Sequence, residues 1–119
     1  MGTNYSRGYS LEYKVKQAFE ERGLLVLRSP ASRSELDVVA LSPRGGRFFV
    51  QCKKTSKDAL YVYGLQPLVD LASRYNATPL LCYSLRRTPV YCRELVAGEF
   101  KAKRDERHVE FRDYLARSI

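Results

Sequence analysis

Three residues of the stretch ELDVVALSPRGGRFFVQCKK (residues 35–54) stand out for their chemistry: Asp37, Gln51 fourteen positions later, and Lys53 two beyond that. The stretch reads as a strand opening on an acid, a Pro/Gly turn, and a second strand carrying an amide oxygen and a lysine. Side chains alternate along a strand, so Gln51 and Lys53 share a face. A hairpin turn through 42–46 brings the Asp37 end back beside them, with cross-strand neighbours about 5 Å apart. An acid, an amide oxygen and an ammonium on one face suit phosphodiester hydrolysis. The acid holds a divalent cation, and the lysine orients water or offsets charge on the phosphate.

These residues need a scaffold, and the pattern supplies one. A helix is expected from Ser6 or Ser10 to Arg22, stopped by Gly23, with Leu11, Val15, Ala18 and Phe19 as its apolar stripe. Glu12 borders that stripe. A carboxylate there is costly unless paired or metal-bound. One alternative is a plain i,i+4 pair with Lys16, worth a few tenths of a kcal/mol. Strands are expected over 24–28, 37–41, 47–54, 79–84 and 90–95, with a short extended piece at 61–63. A second helix is expected over 65–75, with Pro67 in its first turn and Asn76 at its end. The order α-β-β-β-α-β-β makes one α/β unit: a mixed central sheet of about five strands flanked by helices. Residues 1–97 form that domain. Residues 98–119 are a charged C-terminal extension packed on it or continuing it, in which Val109, Phe111, Tyr114 and Leu115 anchor a short element.

The whole chain has 119 residues, a length for one core, and a formal charge of +8. Its isoelectric point is about 9.6. A small basic domain rich in tyrosine and arginine suits a polyanionic partner, most simply nucleic acid. A basic surface kept for solubility is the plainer alternative. No apolar run approaches a membrane span and the start lacks a signal-peptide core, which points to the cytoplasm. Cys52, Cys82 and Cys92 form no CxxC pair, so a zinc site or disulfide framework is not expected, although Cys82 and Cys92 fall near each other across a turn. His108 reads as a surface residue.

Taken together, RGYSLEYKVKQAFEERGLLVLRSPAS, LDVVA, FFVQCKK and LYVYGLQPLVDLASRYNATPLLCYSL resemble the archaeal Holliday junction resolvases, a branch of the PD-(D/E)xK nucleases. The resemblance runs from about residue 7 to residue 95. It implies a restriction-endonuclease-like core, Mg²⁺-dependent hydrolysis with Mn²⁺ as a substitute, four-way DNA junctions as substrate, and a homodimer. Matched residue by residue, Glu12 is the helix glutamate of the active site, Asp37 the metal-binding aspartate and Lys53 the motif lysine. Arg28 is a strand-end arginine that supports activity. Ser29 and Ser32 lie in the loop near the scissile strand. The metal set is then Glu12, Asp37, Gln51 and the backbone carbonyl of Cys52. DNA contacts fall to Arg7, Arg28, Ser29, Arg33, Lys54, Lys57, Arg86 and Arg87.

The chain departs from the family pattern at three places. Leu36 replaces the motif proline, and Tyr13 replaces a basic residue after the helix glutamate. Gln51 stands where these resolvases usually have glutamate. VQCKK is also similar to Mrr-type restriction nucleases, which tolerate glutamine there. A glutamine carbonyl still ligates Mg²⁺ but brings no charge, which weakens affinity and favours one metal over two. Two other functions therefore stand beside junction resolution. One is an Mrr-like or repair endonuclease acting on duplex or flap DNA. The other is a DNA-binding paralogue that cleaves weakly.

Overall fold

The computed structural model describes residues 4–29 and 35–119, and the side chains of 11–29 and 35–119. The elements run α1 (Asn4–Glu21), β1 (Leu25–Arg28), β2 (Val38–Leu41), β3 (Arg47–Lys54), β4 (Ala59–Val62), α2 (Gln66–Arg74), β5 (Thr78–Ser84), β6 (Tyr91–Glu94), β7 (Phe100–Lys103), β8 (Val109–Glu110) and α3 (Phe111–Ser118).

Helix α1 ends where its sequence demands. Gly23 takes φ +84°. Its N–H donates to the Glu20 carbonyl (2.9 Å), and the Leu24 N–H reaches back to Phe19 (3.2 Å). This is the Schellman closure that glycine permits, sealed by Leu24 and Phe19 in one core. Helix α2 ends the same way with Asn76 at φ +53°, and the Ala77 N–H donates to Ala72 at 2.8 Å. The Arg47 guanidinium caps that end too, donating to the Tyr75 carbonyl at 2.9 Å.

Among the described residues, six strands form the main sheet in the order β1-β2-β3-β5-β6-β8. Its pairs are antiparallel except β3 with β5, where Val50 lies beside Leu80 and Cys52 beside Cys82. The parallel pair needs a crossover, and the segment carrying α2 supplies it. One face of the sheet packs Val26, Val38, Ala40, Val50, Leu80 and Cys82 against Leu11, Val15 and Phe19 of α1 and Phe111 and Leu115 of α3. The other face packs Phe49, Leu81 and Tyr83 against Leu65, Leu68 and Ala72 of the α2 region and against a two-stranded ribbon of β4 and β7.

The sheet is thus one strand wider than the pattern of five suggests, and the ribbon is an extra element. Both additions use residues beyond 97. Phe100 and Ala102 enter the second core, and Phe111 and Leu115 the first. Cys82 stands opposite Cys92 in the register, and all three cysteines are free thiols. Burial pushes the Cys92 thiol up to about 12. His108 is more than a surface group. Its Nε2 donates to the Lys103 carbonyl (2.7 Å), its Nδ1 lies 2.7 Å from the Tyr83 hydroxyl, and its ring stacks on Tyr91 at 4.4 Å.

Candidate active site

The hairpin of β2 and β3 closes through a tight turn at 42–46. Gly45 adopts φ +102°, its N–H donates to Ser42 (3.0 Å), and Ser42 N–H donates to Gly46 (2.7 Å). That turn fixes the register, with Leu41 opposite Arg47 and Val38 opposite Val50. At the open end the pairing changes. Asp37 N–H donates to the Val50 carbonyl at 2.9 Å, although Val38 is the residue opposite Val50. Two residues of one strand thus address one of the other, the arrangement of a β-bulge, which re-aims a side chain. The Asp37 carboxylate turns along β3, and its Oδ2 accepts the Cys52 N–H at 2.7 Å. On the other side, the Asp37 carbonyl accepts the Ser29 N–H at 3.0 Å, which ties the end of β1 to the same point.

Glu12 reaches this point from α1. Its Oε1 meets Arg28 Nη2 at 3.2 Å, and each side chain is 25% exposed. The expected alternative partner, Lys16, bonds Glu20 instead, at 3.1 Å. Burial raises the Asp37 carboxyl above the usual carboxylate value. The Cys52 N–H opposes that rise, Glu12 adds to it, and Lys53 and Arg28 oppose it. Burial also pushes the Cys52 thiol well up, with Asp37 and Glu12 adding to the effect. Glu12, Arg28 and Lys53 thus all act on the Asp37 carboxyl.

Gln51 is half-buried on β3 and Lys53 is exposed, on the strand face they share. The bulge sets Asp37 and Val38 together against Val50, and Gln51 and Lys53 stand beside Leu81 and Tyr83 on the face of the second core, while Val50 and Cys52 face α1. Among the described residues no group of three His, Cys, Asp or Glu side chains is gathered to hold a metal. The oxygens offered at this end of the hairpin are two carboxylates, Glu12 and Asp37, and main-chain carbonyls. Those hard oxygens fit a cation such as Mg²⁺, with fewer formal charges than three acids would bring.

The remaining expected contacts scatter. Lys54 ends β3 and Lys57 lies on the connection to β4, both exposed. Arg86 is held by Asp58 in a two-pronged pair (2.9 and 3.3 Å), so part of its charge is answered within the chain. Arg87 is exposed in a left-handed turn position, φ +59°. Ser32 and Arg33 lie outside the described residues, and Arg7 lies on α1 with its side chain outside them. Sequence reasoning missed the Cys52 N–H as the anchor of Asp37, and the Asp58–Arg86 pair. A backbone donor leaves no trace in residue type, whereas Asp58 and Arg86 are visible charges 28 positions apart.

A mixed sheet with helices on both faces and an acid-bearing hairpin beside the first helix defines the restriction-endonuclease-like nucleases. The family model of the archaeal Holliday junction resolvases (Hjc) matches residues 3–118. The chain belongs to that family: it is an endonuclease whose substrate is branched DNA. Among solved structures, the Holliday junction resolvase Hjc of Archaeoglobus fulgidus, an archaeal hyperthermophile, superimposes with a TM-score of 0.68. That match covers 82% of this chain and 84% of the other at 18% identity, a likeness of fold. No curated protein sequence matches the chain. Nucleases of this type use a divalent metal. Among the described residues no helix is long and apolar enough to cross a membrane.

Proposed function

We propose that the chain resolves four-way DNA junctions in the cytoplasm as a homodimer, with Mg²⁺, or Mn²⁺ in its place, held by Glu12, Asp37, Gln51 and the Cys52 carbonyl. The observation that carries this reading is the Glu12–Arg28 pair, brought from α1 and β1 toward the open end of the hairpin where Cys52 N–H anchors the Asp37 carboxylate. A divalent cation there supplies positive charge to the scissile phosphate and acidity to the attacking water. The chain's own groups do the rest. Asp37, pinned through Oδ2 by Cys52 N–H, keeps its carboxylate fixed. Arg28 orients Glu12 and adds charge that favours the dianionic transition state. Lys53, exposed at the strand end, positions water or meets a phosphate oxygen. Ser29, Lys54, Lys57 and Arg87 hold the arms by phosphate contacts. Residues 98–119 belong to the same folding unit as 1–97, through Phe100, Phe111 and Leu115.

Two cuts related by a two-fold axis call for two copies related the same way. Gln51, together with the lack of a third acid among the described residues, favours weak metal binding and keeps a second reading in view. In that reading the chain binds DNA and cleaves poorly. One gel separates the possibilities. A four-way junction and a matched duplex are incubated with and without Mg²⁺ or Mn²⁺. Junction cleavage with metal alone supports resolution, duplex cleavage supports an Mrr-like enzyme, and binding without cleavage supports the paralogue. Light scattering on the same sample reads the dimer.

A further inference from the structure

The ribbon of β4 and β7 buries one face only. Leu60, Val62, Phe100 and Ala102 point into the second core. By alternation the opposite face carries Tyr61, Lys101 and Lys103. Tyr61 stands opposite Lys101 and Ala59 opposite Lys103. Tyr61 is 52% exposed, and Tyr63, one residue past β4, is 63% exposed. Both lysines are exposed. Exposed rings interleaved with ammonium groups on a strand pair are the parts of a platform on which nucleobases stack while phosphates meet the cations.

We propose that this outer face is a second DNA contact, which takes bases unstacked at the branch point on Tyr61 and Tyr63 and adjoining phosphates on Lys101 and Lys103. The proposal rests on the junction-resolving reading, because a branch point interrupts the helical stack and leaves base faces open, whereas an intact duplex does not. The place is right. Thr55 N–H donates to Ser84 (3.1 Å), Arg86 N–H to Lys57 (3.0 Å) and Arg104 N–H to Asp58 (2.7 Å), which ties the Lys103 end of the ribbon to the end of β3. Lys54 and Ala59 are five residues apart, a span of at most about 18 Å. A strand leaving Lys53 meets the ribbon within a few nucleotides.

Charge decides against a second copy of the chain as the occupant. A two-fold contact at this face would bring Lys101 and Lys103 toward their own counterparts. Of the neighbouring acids, Asp58 is bound by Arg86 at 2.9 Å, and the Glu106 carboxylate accepts the Lys103 N–H at 2.7 Å. Glu99 precedes β7 and Asp105 follows it, both beyond the strand's ends.

The test uses the full chain, a four-way junction with 2-aminopurine at the branch point, and a duplex with the same label. The variants are Tyr61→Ala with Tyr63→Ala, Tyr61→Phe with Tyr63→Phe, and Lys101→Ala with Lys103→Ala. The double alanine variant of the tyrosines should lose about tenfold in junction affinity and the fluorescence change on binding. It should keep its duplex affinity and its mass in light scattering, and the phenylalanine variant should restore both losses. The lysine variant should lower the slope of log affinity against log salt by about two for each ribbon engaged, about four for the dimer. Unchanged junction affinity and fluorescence in the tyrosine variant, or a fall in its mass, overturns the proposal. If the tyrosine variant melts early, the lysine variant decides, and an unchanged salt slope overturns the proposal. Wild-type chain that shows no preference for the junction fails the resolvase reading itself. Preference in the wild type with indifferent variants fails only the ribbon.

Discussion

Asp37 Oδ2 accepts the main-chain N–H of Cys52 at 2.7 Å, so the acid of one strand is anchored between the residues, Gln51 and Lys53, that flank Cys52 on the next. The donor is backbone. Its position follows from the bulge at Asp37 and survives any change of the Cys52 side chain that leaves β3 in place.

Asp37→Asn keeps an oxygen that can accept the Cys52 N–H, and it removes the charge. Cleavage should vanish while junction affinity stays within a few-fold, because phosphate contacts supply most of it. The same variant should melt at a higher temperature than wild type at pH 7. Burial raises the Asp37 carboxyl in the folded state, so the native chain binds that proton more tightly than the unfolded chain. Stability therefore falls as pH rises from the ordinary carboxylate value through the raised one. The melting difference between the two proteins should shrink toward acid pH, read by calorimetry at several pH values.

Gln51→Glu adds a third carboxylate to a site that has Glu12 and Asp37. The Mg²⁺ concentration for half-maximal cleavage should fall, and calorimetric titration with Mg²⁺ should show tighter binding. An unchanged requirement in both measurements would mean that Gln51 does not ligate.

Glu12→Gln preserves an acceptor for Arg28, whose guanidinium lies 3.2 Å away, and removes the charge. Single-turnover cleavage should slow at least tenfold, about 1.4 kcal/mol of barrier. Lys16→Ala should leave the rate alone and cost only a few tenths of a kcal/mol, since Lys16 pairs with Glu20. Equal rates for wild type and Glu12→Gln would return Glu12 to a structural role.

Phe111→Ala should destabilise the whole domain by about 3–5 kcal/mol in urea unfolding, as a buried aromatic removed from a packed core does. Phe111 is 4% exposed and meets Phe19 edge-on at 5.2 Å. Val96→Ala, at a side chain 93% exposed, should change stability by no more than about 0.5 kcal/mol. A mild effect at Phe111, or a stable chain ending at 97, would make residues 98–119 an appendage.

Much of the frame was legible in the residues. Leu11, Val15 and Phe19 repeat with the helical period, Gly23 and Asn76 end helices where a left-handed residue is needed, and the turn at 42–46 sets a register that alternation then propagates. Those are local rules, so residue type suffices for them. Glu12, Asp37, Gln51 and Lys53 were legible as candidates for the same reason: their chemistry is in the side chain and their spacing lies within short elements. What the fold alone decided depends on distance. Glu12 and Arg28 are 16 positions apart, and only the packing of α1 on β1 pairs them, while Lys16, nearer in sequence, turns to Glu20. The bulge at Asp37 and its Cys52 anchor involve backbone groups that every residue carries, so residue type cannot announce them. The charged C-terminal stretch reads as an extension packed on the domain or continuing it, and no further, because its apolar residues are sparse. Phe100, Ala102, Phe111 and Leu115 nonetheless complete both cores, since a few buried rings and aliphatic chains outweigh many solvated charges.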